Sequence, residues 1–450
     1  MGYSFGDTIA ACATAPGEGG IAIVRVSGPD SERVMRGFFA PLPAVIESHR
    51  LYYGHIVNAG EREEAMCVLM RAPRSYTRED VCEFHIHGGE AAVARLLRAV
   101  YGGGARPAEP GEFTMRAFMN GRIDLSRAEA VMDVLRARGD AALRAGLREM
   151  EGGVAREVQS AMDELTGMLA LCGAALDFPD EVDGQDMETQ LLKRARALSA
   201  RLSAACGRRA GDMLRGGLSA VLAGRPNVGK SSLMNALLGA ERAIVTRTAG
   251  TTRDVLTEEL ELEGYRVRLS DTAGQRETGD EIERMGVERA RAALDSADMA
   301  LMVLDASEPL MPEDEALLAL ADERFILVLN KCDLAPAWDA GALEARFMGR
   351  SVRISARSGQ GVDELRAIMA SRARSSAEPG AVFLRQRHIA CVSRACNLLD
   401  EAALSLEAGV PVELAALDLR GAHDALGEIT GQTADTDVIN RIFTDFCVGK

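Results

Sequence analysis

The sequence predicts a multidomain chain that combines α/β parts with an all-α part. Three observations point to this. Between residues 215 and 375, short apolar runs alternate with helical segments, the pattern of a doubly wound parallel sheet. Before that region lies an apolar stripe with steps of three or four residues: Leu143, Leu147, Met150, Val154, Val158, Met162, Leu165, Leu169, Cys172 and Leu176. After it, the tail from Val382 to Phe446 turns helical again. Helical segments on both sides of an α/β unit predict that the unit is inserted into a helical domain.

Taken in order, residues 5–118 mix strand-like runs with Gly/Pro turns. IAIVRVSG (21–28) and VCEFHIHGG (81–89) read as strands, and ARLLRAVYGGG (94–104) as a helix ending in glycines. This part is a compact α+β or α/β domain. From Leu125 to about Leu214 the chain is helical, with Gly152-Gly153 its weak point. The long stripe reads as helix–helix core. DFPDEVD (177–183) breaks that helix at Pro179, and residues 188–210 form another. LSAVLAG (218–224), YRVRLSD (265–271), MALMVLD (299–305), FILVLN (325–330) and SVRIS (351–355) are the strands of the inserted unit. RARSSAEPG (372–380) is a linker by composition.

Length and composition agree. At ~150 residues per domain, 450 residues imply two to four domains. With 47% hydrophobic and 26% charged residues the chain is not disordered. No apolar run of about 18 residues suggests a membrane span. MGYSFGDTIAACATAP lacks a basic stretch ahead of its apolar run, which argues against a secretory signal. Nine scattered cysteines read as reduced thiols of a cytoplasmic protein. A net charge of −15 argues against a generally basic nucleic-acid coat, though not against a local RNA pocket. Aromatics at 4%, with Trp338 the one tryptophan, leave no broad stacking platform.

The chemistry is clearest in Gly224–Ser231, GRPNVGKS, which fits G-x-x-x-x-G-K-[ST] between a predicted strand and helix. Backbone N–H groups from Asn227, Val228 and Gly229 onward cradle phosphate. Lys230 supplies a positive charge, Ser231 ligates Mg²⁺, and Ser232 follows on the helix. Asp271, Thr272, Ala273 and Gly274 end a strand where Mg²⁺ and a γ-phosphate are sensed. Asn330, Lys331, Cys332 and Asp333 end another. An Asp there accepts from the N1–H and 2-amino edge of guanine, which adenine lacks. Ser355, Ala356 and Arg357 follow the last strand, with backbone N–H groups for the guanine O6. Each motif alone could be a loop cap. Four in order, each at a strand end, describe a Ras-like P-loop GTPase domain. Thr246, Arg247, Thr248, Ala249, Gly250, Thr251 and Thr252 form the loop that closes over the γ-phosphate. Thr251 and Thr252 compete as the Mg²⁺ ligand, with Thr252 favoured.

The whole chain resembles the MnmE (TrmE) family of tRNA-modification GTPases. The resemblance rests on residues 7–29, EDVCEFHIHGG (79–89), residues 105–130, DFPDE (177–181), GRPNVGKSSLMNALLG (224–239), AIVTRTAGTTRDV (243–255), residues 271–290 and the terminal FCVGK (446–450). It implies an N-terminal folate-binding-like and dimerisation domain (1–120), a helical domain in two parts (121–214 and 376–450) and a GTPase domain between them (215–375). It further implies a homodimer and an FAD-containing partner, MnmG (GidA), in a heterotetramer or larger complex. That complex adds a carboxymethylaminomethyl or aminomethyl group to C5 of the wobble uridine of tRNA. A 5-formyl- or 5,10-methylene-tetrahydrofolate supplies the carbon.

By the same resemblance, K⁺ takes the place of an arginine finger, held by Asn227, Thr246, Thr248 and Thr251, with Thr248 acting through its carbonyl. Glu283 orients the hydrolytic water, while Gln275, at the position many GTPases use, stands as the competing candidate. Arg25, Glu83, Arg122 and Lys450 match the family's folate contacts, with Arg122 in place of lysine. Three readings remain without structure. His85 and His87 form an H-x-H pair with no third ligand nearby, better read as strand-end histidines. Cys447 is a structural or folate-site residue before it is a nucleophile, and Cys391 and Cys396 are packed helix thiols. Two other classes compete: a GTPase that assembles ribosomal particles without covalent RNA chemistry, and a folate-dependent one-carbon transferase that acts without RNA.

Overall fold

The computed structural model describes residues 6–58, 61–178, 184–239, 257–271, 294, 297–376 and 381–450. The chain gathers into two units, one of Met1–Met132, Arg148–Ser203 and Ala390–Lys450, the other of Asp133–Leu147 and Ala204–Ile389.

The first unit carries a seven-stranded sheet. Its strands are β1 (Ile9–Cys12), β2 (Gly19–Ser27), β3 (Phe39–Ala40), β4 (Leu51–Asn58), β5 (Glu61–Met70), β6 (Val81–Gly88) and β7 (Arg106–Pro107), in the order β3-β4-β5-β6-β2-β1-β7. β1 and β7 run parallel, while the other pairs are antiparallel. The domain is therefore the α+β alternative of the two that the sequence left open. Side chains alternate between faces with period two. Val24 and Val26 of β2 and Phe84 and Ile86 of β6 enter a core completed by Val34, Met35, Leu96 and Val100 of the helices Ser31–Phe38 and Glu90–Gly102. The same alternation sends Arg25, Glu83 and His85 to the opposite face.

The apolar stripe does not form one helix. It divides into Asp140–Met150 and Gly153–Asp177, with Gly152 between them at φ +87°, a conformation that favours glycine. Val154, Val158, Met162, Leu165 and Cys172 are core, as the sequence predicts, and Gly153–Asp177 packs along Val412–Thr430. Leu143, Leu147, Met150 and Leu176 are exposed instead. Helical spacing continues across the break, but it does not by itself decide burial: Leu143, Leu147 and Met150 lie on the first helix and Leu176 on the last turn of the second. Glu112–Met119, Leu125–Arg136, Gly184–Ala204, Gln386–Glu407 and Thr436–Thr444 are further helices of the described residues. No described helix is long and apolar enough to cross a membrane.

The second unit carries a six-stranded sheet of β8 (Leu218–Ala223), β9 (Thr257–Leu262), β10 (Tyr265–Asp271), β11 (Met299–Asp305), β12 (Phe325–Asn330) and β13 (Ser351–Arg353). The order is β13-β12-β11-β8-β10-β9, parallel except for the edge strand β9 against β10. β8, β11 and β12 are buried on both faces, which explains their continuous apolar runs. Residues 372–376, expected to be linker, instead finish the helix Val362–Ser376, whose Ala373 is buried.

Candidate functional site

The phosphate loop leaves β8 and enters the helix Lys230–Gly239, so the first N–H groups of that helix face the loop. Asn227 takes φ +66°, a left-handed turn that asparagine tolerates. Lys230 is buried, and its Nζ donates to the carbonyls of Gly224 at 2.7 Å and Arg225 at 2.9 Å. Arg225 anchors the loop from outside through Glu308 at 2.6 Å and Asp314 at 3.2 Å.

Asn330 ties three motifs together. It ends β12, and its Nδ2 donates to the Val228 carbonyl at 2.8 Å. Its Oδ1 accepts from the Ala356 amide at 3.0 Å. One buried amide thus joins the phosphate loop to the segment after β13. Around this staple lies a cavity of about 590 Å³, lined among others by Gly229, Ser232, Lys331, Asp333, Ser355, Ala356 and Arg357. The structure therefore brings together the phosphate-loop, Asn330–Asp333 and Ser355–Arg357 groups. Asp271 ends β10, beside β8, with its main chain described. Thr246, Arg247, Thr248, Ala249, Gly250, Thr251, Thr252, Thr272, Ala273, Gly274, Gln275 and Glu283 lie outside the described residues.

A second cluster forms on the open face of the seven-stranded sheet. Arg25 and Glu83 face each other across β2 and β6, with Nε 2.8 Å from Oε1. Tyr76 stands over both arginines that the sequence selected. Its ring centroid is 5.4 Å from the Arg25 guanidinium and 4.8 Å from that of Arg122. Arg122 also donates to the Tyr76 carbonyl at 2.7 Å, and the Tyr76 hydroxyl meets Thr114 at 2.9 Å.

The C-terminal tail completes the cluster. The Gly111 amide donates to the Cys447 carbonyl at 3.3 Å, and the Phe113 amide to the Lys450 carbonyl at 3.2 Å. Gly449 takes φ +96°, and a Cβ there would stand 2.2 Å from the Cys12 carbonyl oxygen. Burial, together with the nearby Arg25 charge, pushes the Lys450 ammonium below its usual range. Burial alone would raise the Glu83 carboxyl, but His85 and Arg25 outweigh it and hold it lower. The cluster thus offers an ionised carboxylate acceptor between cationic and aromatic walls. All four predicted residues meet here, together with Tyr76, which the sequence reading missed. Cys447 is exposed at its edge.

The histidine pair has carboxylate neighbours. His85 Nε2 lies 3.5 Å from Glu83, and His87 Nδ1 lies 3.4 Å from Glu63. Among the described residues, no group of three His, Cys, Asp or Glu is placed to hold a metal. All nine cysteines are thiols, with Cys391 buried and Cys396 half-buried on one helix.

Two family models match the chain: the MnmE helical domain over residues 125–447 and the GTP-binding protein TrmE N-terminus over residues 8–122. The tRNA modification GTPase MnmE of Chloroflexus aurantiacus is 48% identical, over 99% of this chain and 100% of its own length. Its counterpart from Geobacter sulfurreducens is 46% identical over 99% of both chains. That of Roseiflexus sp. (strain RS-1) is 44% identical over 99% of this chain and 100% of its own.

Proposed function

The chain belongs to the MnmE family of tRNA modification GTPases, and from this we propose that it hydrolyses GTP within a complex that modifies C5 of the wobble uridine of tRNA. The added group is carboxymethylaminomethyl or aminomethyl. A tetrahydrofolate supplies its one-carbon unit, and glycine or ammonium its nitrogen. The observation that carries this reading is a single chain holding both the cavity stapled by Asn330 and the Arg25–Glu83–Arg122–Lys450 cluster. A ribosome-assembly GTPase has use for the first alone, and a one-carbon transferase for the second alone.

Each site suits its assigned ligand. Glu83 would accept from the N3–H and 2-amino edge of a pterin, Tyr76 would offer it an aromatic surface, and Arg25, Arg122 and Lys450 would meet carbonyl or carboxylate groups. Ser231, at the start of the helix after the phosphate loop, is the described donor for Mg²⁺, with Thr252 as its partner ligand. Asn227 is the described donor for K⁺, completed by Thr246, Thr248 and Thr251. Either cation would offset charge developing on the phosphates. Glu283, in preference to Gln275, orients the attacking water. We assign residues 1–120 to folate binding and dimerisation, 121–214 and 376–450 to the helical domain, and 215–375 to the GTPase domain. The protein acts in the cytoplasm as a homodimer with an FAD-containing MnmG partner.

The decisive experiment is nucleoside mass spectrometry of bulk tRNA from cells with and without the gene. Deletion should remove aminomethyl-type wobble uridines. Wild type should restore them, but Asp271→Ala should not. In single-turnover hydrolysis, Glu283→Ala should be the crippled variant and Gln275→Leu the active one. An unchanged nucleoside profile, in cells known to contain those nucleosides, would instead support the ribosome-assembly reading.

The folate site has its own test. Gly449→Ala should push the tail off Cys12 and lower 5-formyl-tetrahydrofolate affinity about tenfold, with guanine-nucleotide binding unchanged. Equilibrium dialysis reads the first and fluorescent-nucleotide titration the second. Folate affinity equal to wild type would remove the tail from the site.

A further inference from the structure

Asp305 ends β11, and no step of the proposed reaction uses it. Its carboxylate is buried and fixed at both oxygens. Oδ1 accepts the Ser307 amide at 2.9 Å and the Ser307 hydroxyl at 2.6 Å. Oδ2 faces the Lys331 ammonium at 2.5 Å. The ladder pairs Asp305 with Asn330, so Lys331 leaves the sheet directly beside it. Lys331 takes φ +64° and lines the cavity, whereas Asp305 does not. The lysine is therefore tethered at its tip, and it lines the cavity where a base would sit.

An untethered lysine extends its ammonium into water and samples many rotamers. A tethered one presents a preordered apolar stem, and preorder is gained affinity. We propose that Asp305 is a positioning residue for guanine binding, holding the Lys331 ammonium so that the lysine stem forms one wall of the base slot. This rests on the nucleotide-binding reading above. Burial alone would raise the Asp305 carboxyl, but Lys331 and Ser307 outweigh it, so the tether stays charged at neutral pH.

The test is stopped-flow binding of fluorescent guanine and inosine nucleotides to the full chain. Asp305→Asn should weaken both by roughly tenfold, mainly through faster dissociation. The losses should match, because inosine lacks only the 2-amino group, which Asp305 does not touch. Lys331→Met should weaken binding as well, and adding Asp305→Asn to it should cost nothing more. Asp305→Asn binding like wild type would overturn the proposal. So would additive losses, which would mean that Asp305 acts through the fold rather than through Lys331. If Asp305→Asn does not fold, Ser307→Ala loosens the same carboxylate. A loss of about threefold there supports the tether, and an unchanged affinity overturns it. Failure of the wild-type chain to bind guanine nucleotides would be a different result, counting against the GTPase reading itself.

Discussion

Replacing Arg116 by methionine should destabilise the N-terminal part of the chain by about 3–5 kcal/mol, the range for breaking a buried ion pair from one side. The Arg116 side chain is only 1% exposed. It donates to Asp7 Oδ1 at 2.6 Å, to Glu112 Oε1 at 3.0 Å and to both Glu79 oxygens at 3.2 Å. It also reaches the Asp7 carbonyl at 2.8 Å. On the outer side, Arg106 bonds Asp7 at 2.6 Å and Glu112 at 2.5 Å. Methionine fills the volume but leaves Glu112, itself buried, with Arg106 as its remaining arginine partner.

The pH dependence carries a sign. Burial would raise the Asp7 and Glu112 carboxyls, but Arg106 and Arg116 outweigh it and hold both below their ordinary values of 3.8 and 4.5. Groups shifted this way stabilise the fold above those ordinary values and lose that contribution as pH falls through the folded ones. In Arg116→Met the two carboxyls move back up, so acid unfolding should begin at higher pH. Adding Glu112→Gln should recover part of the loss by removing the stranded charge. Urea unfolding followed by amide exchange in β1 and β6 measures all of this. A loss under 1 kcal/mol, which is the value of an exposed pair, would show that the cluster is solvated.

Legibility in the sequence followed the kind of interaction involved. The nucleotide site was readable because phosphate and guanine chemistry dictates residue types at short spacing. Even so, Asn330 gave no sign that its amide would reach Val228, 102 positions away. The fully buried strands were readable as apolar runs. β9, TEELEL, was missed because its three glutamates mask an edge strand with Leu260 and Leu262 facing inward. β4 and β5 mix polar and apolar residues, and their partners across the sheet are what make them strands. The stripe was readable as helix but not as two helices, since residue spacing says nothing of a left-handed Gly152. Tyr76 and Arg116 were missed for one reason: a loop tyrosine and a helical arginine look like surface residues until distant segments close over them. The resemblance singled out Arg25, Glu83, Arg122 and Lys450 as candidate folate contacts. The sheet register and the tail then explained why an arginine on one strand, a glutamate on the next and the final lysine belong together.

Asp333→Asn should lower GTP affinity by 100-fold or more and transfer preference to xanthosine triphosphate. Guanine offers two donors on one edge, N1–H and the 2-amino group, and a carboxylate accepts both. Hydrogen bonds to a charged partner are worth about 1.5–3 kcal/mol each, so losing two is on the order of 100-fold at the least. The asparagine oxygen still accepts one proton, but its NH₂ now confronts the guanine 2-amino group. Xanthine carries a carbonyl at that carbon, which the asparagine N–H satisfies, so the same substitution should improve xanthine binding. Asp333 lines the cavity close in sequence to Asn330, whose amide is already engaged by Val228 and Ala356. The two residues therefore fail differently. Asn330→Ala should release the phosphate loop from Ala356 and weaken guanine and xanthine nucleotides alike, with no change in preference. Competition titrations with both triphosphates separate the two patterns. Equal GTP and xanthosine triphosphate losses in Asp333→Asn would place base recognition elsewhere in the cavity, and inverted preference would fix it at Asp333.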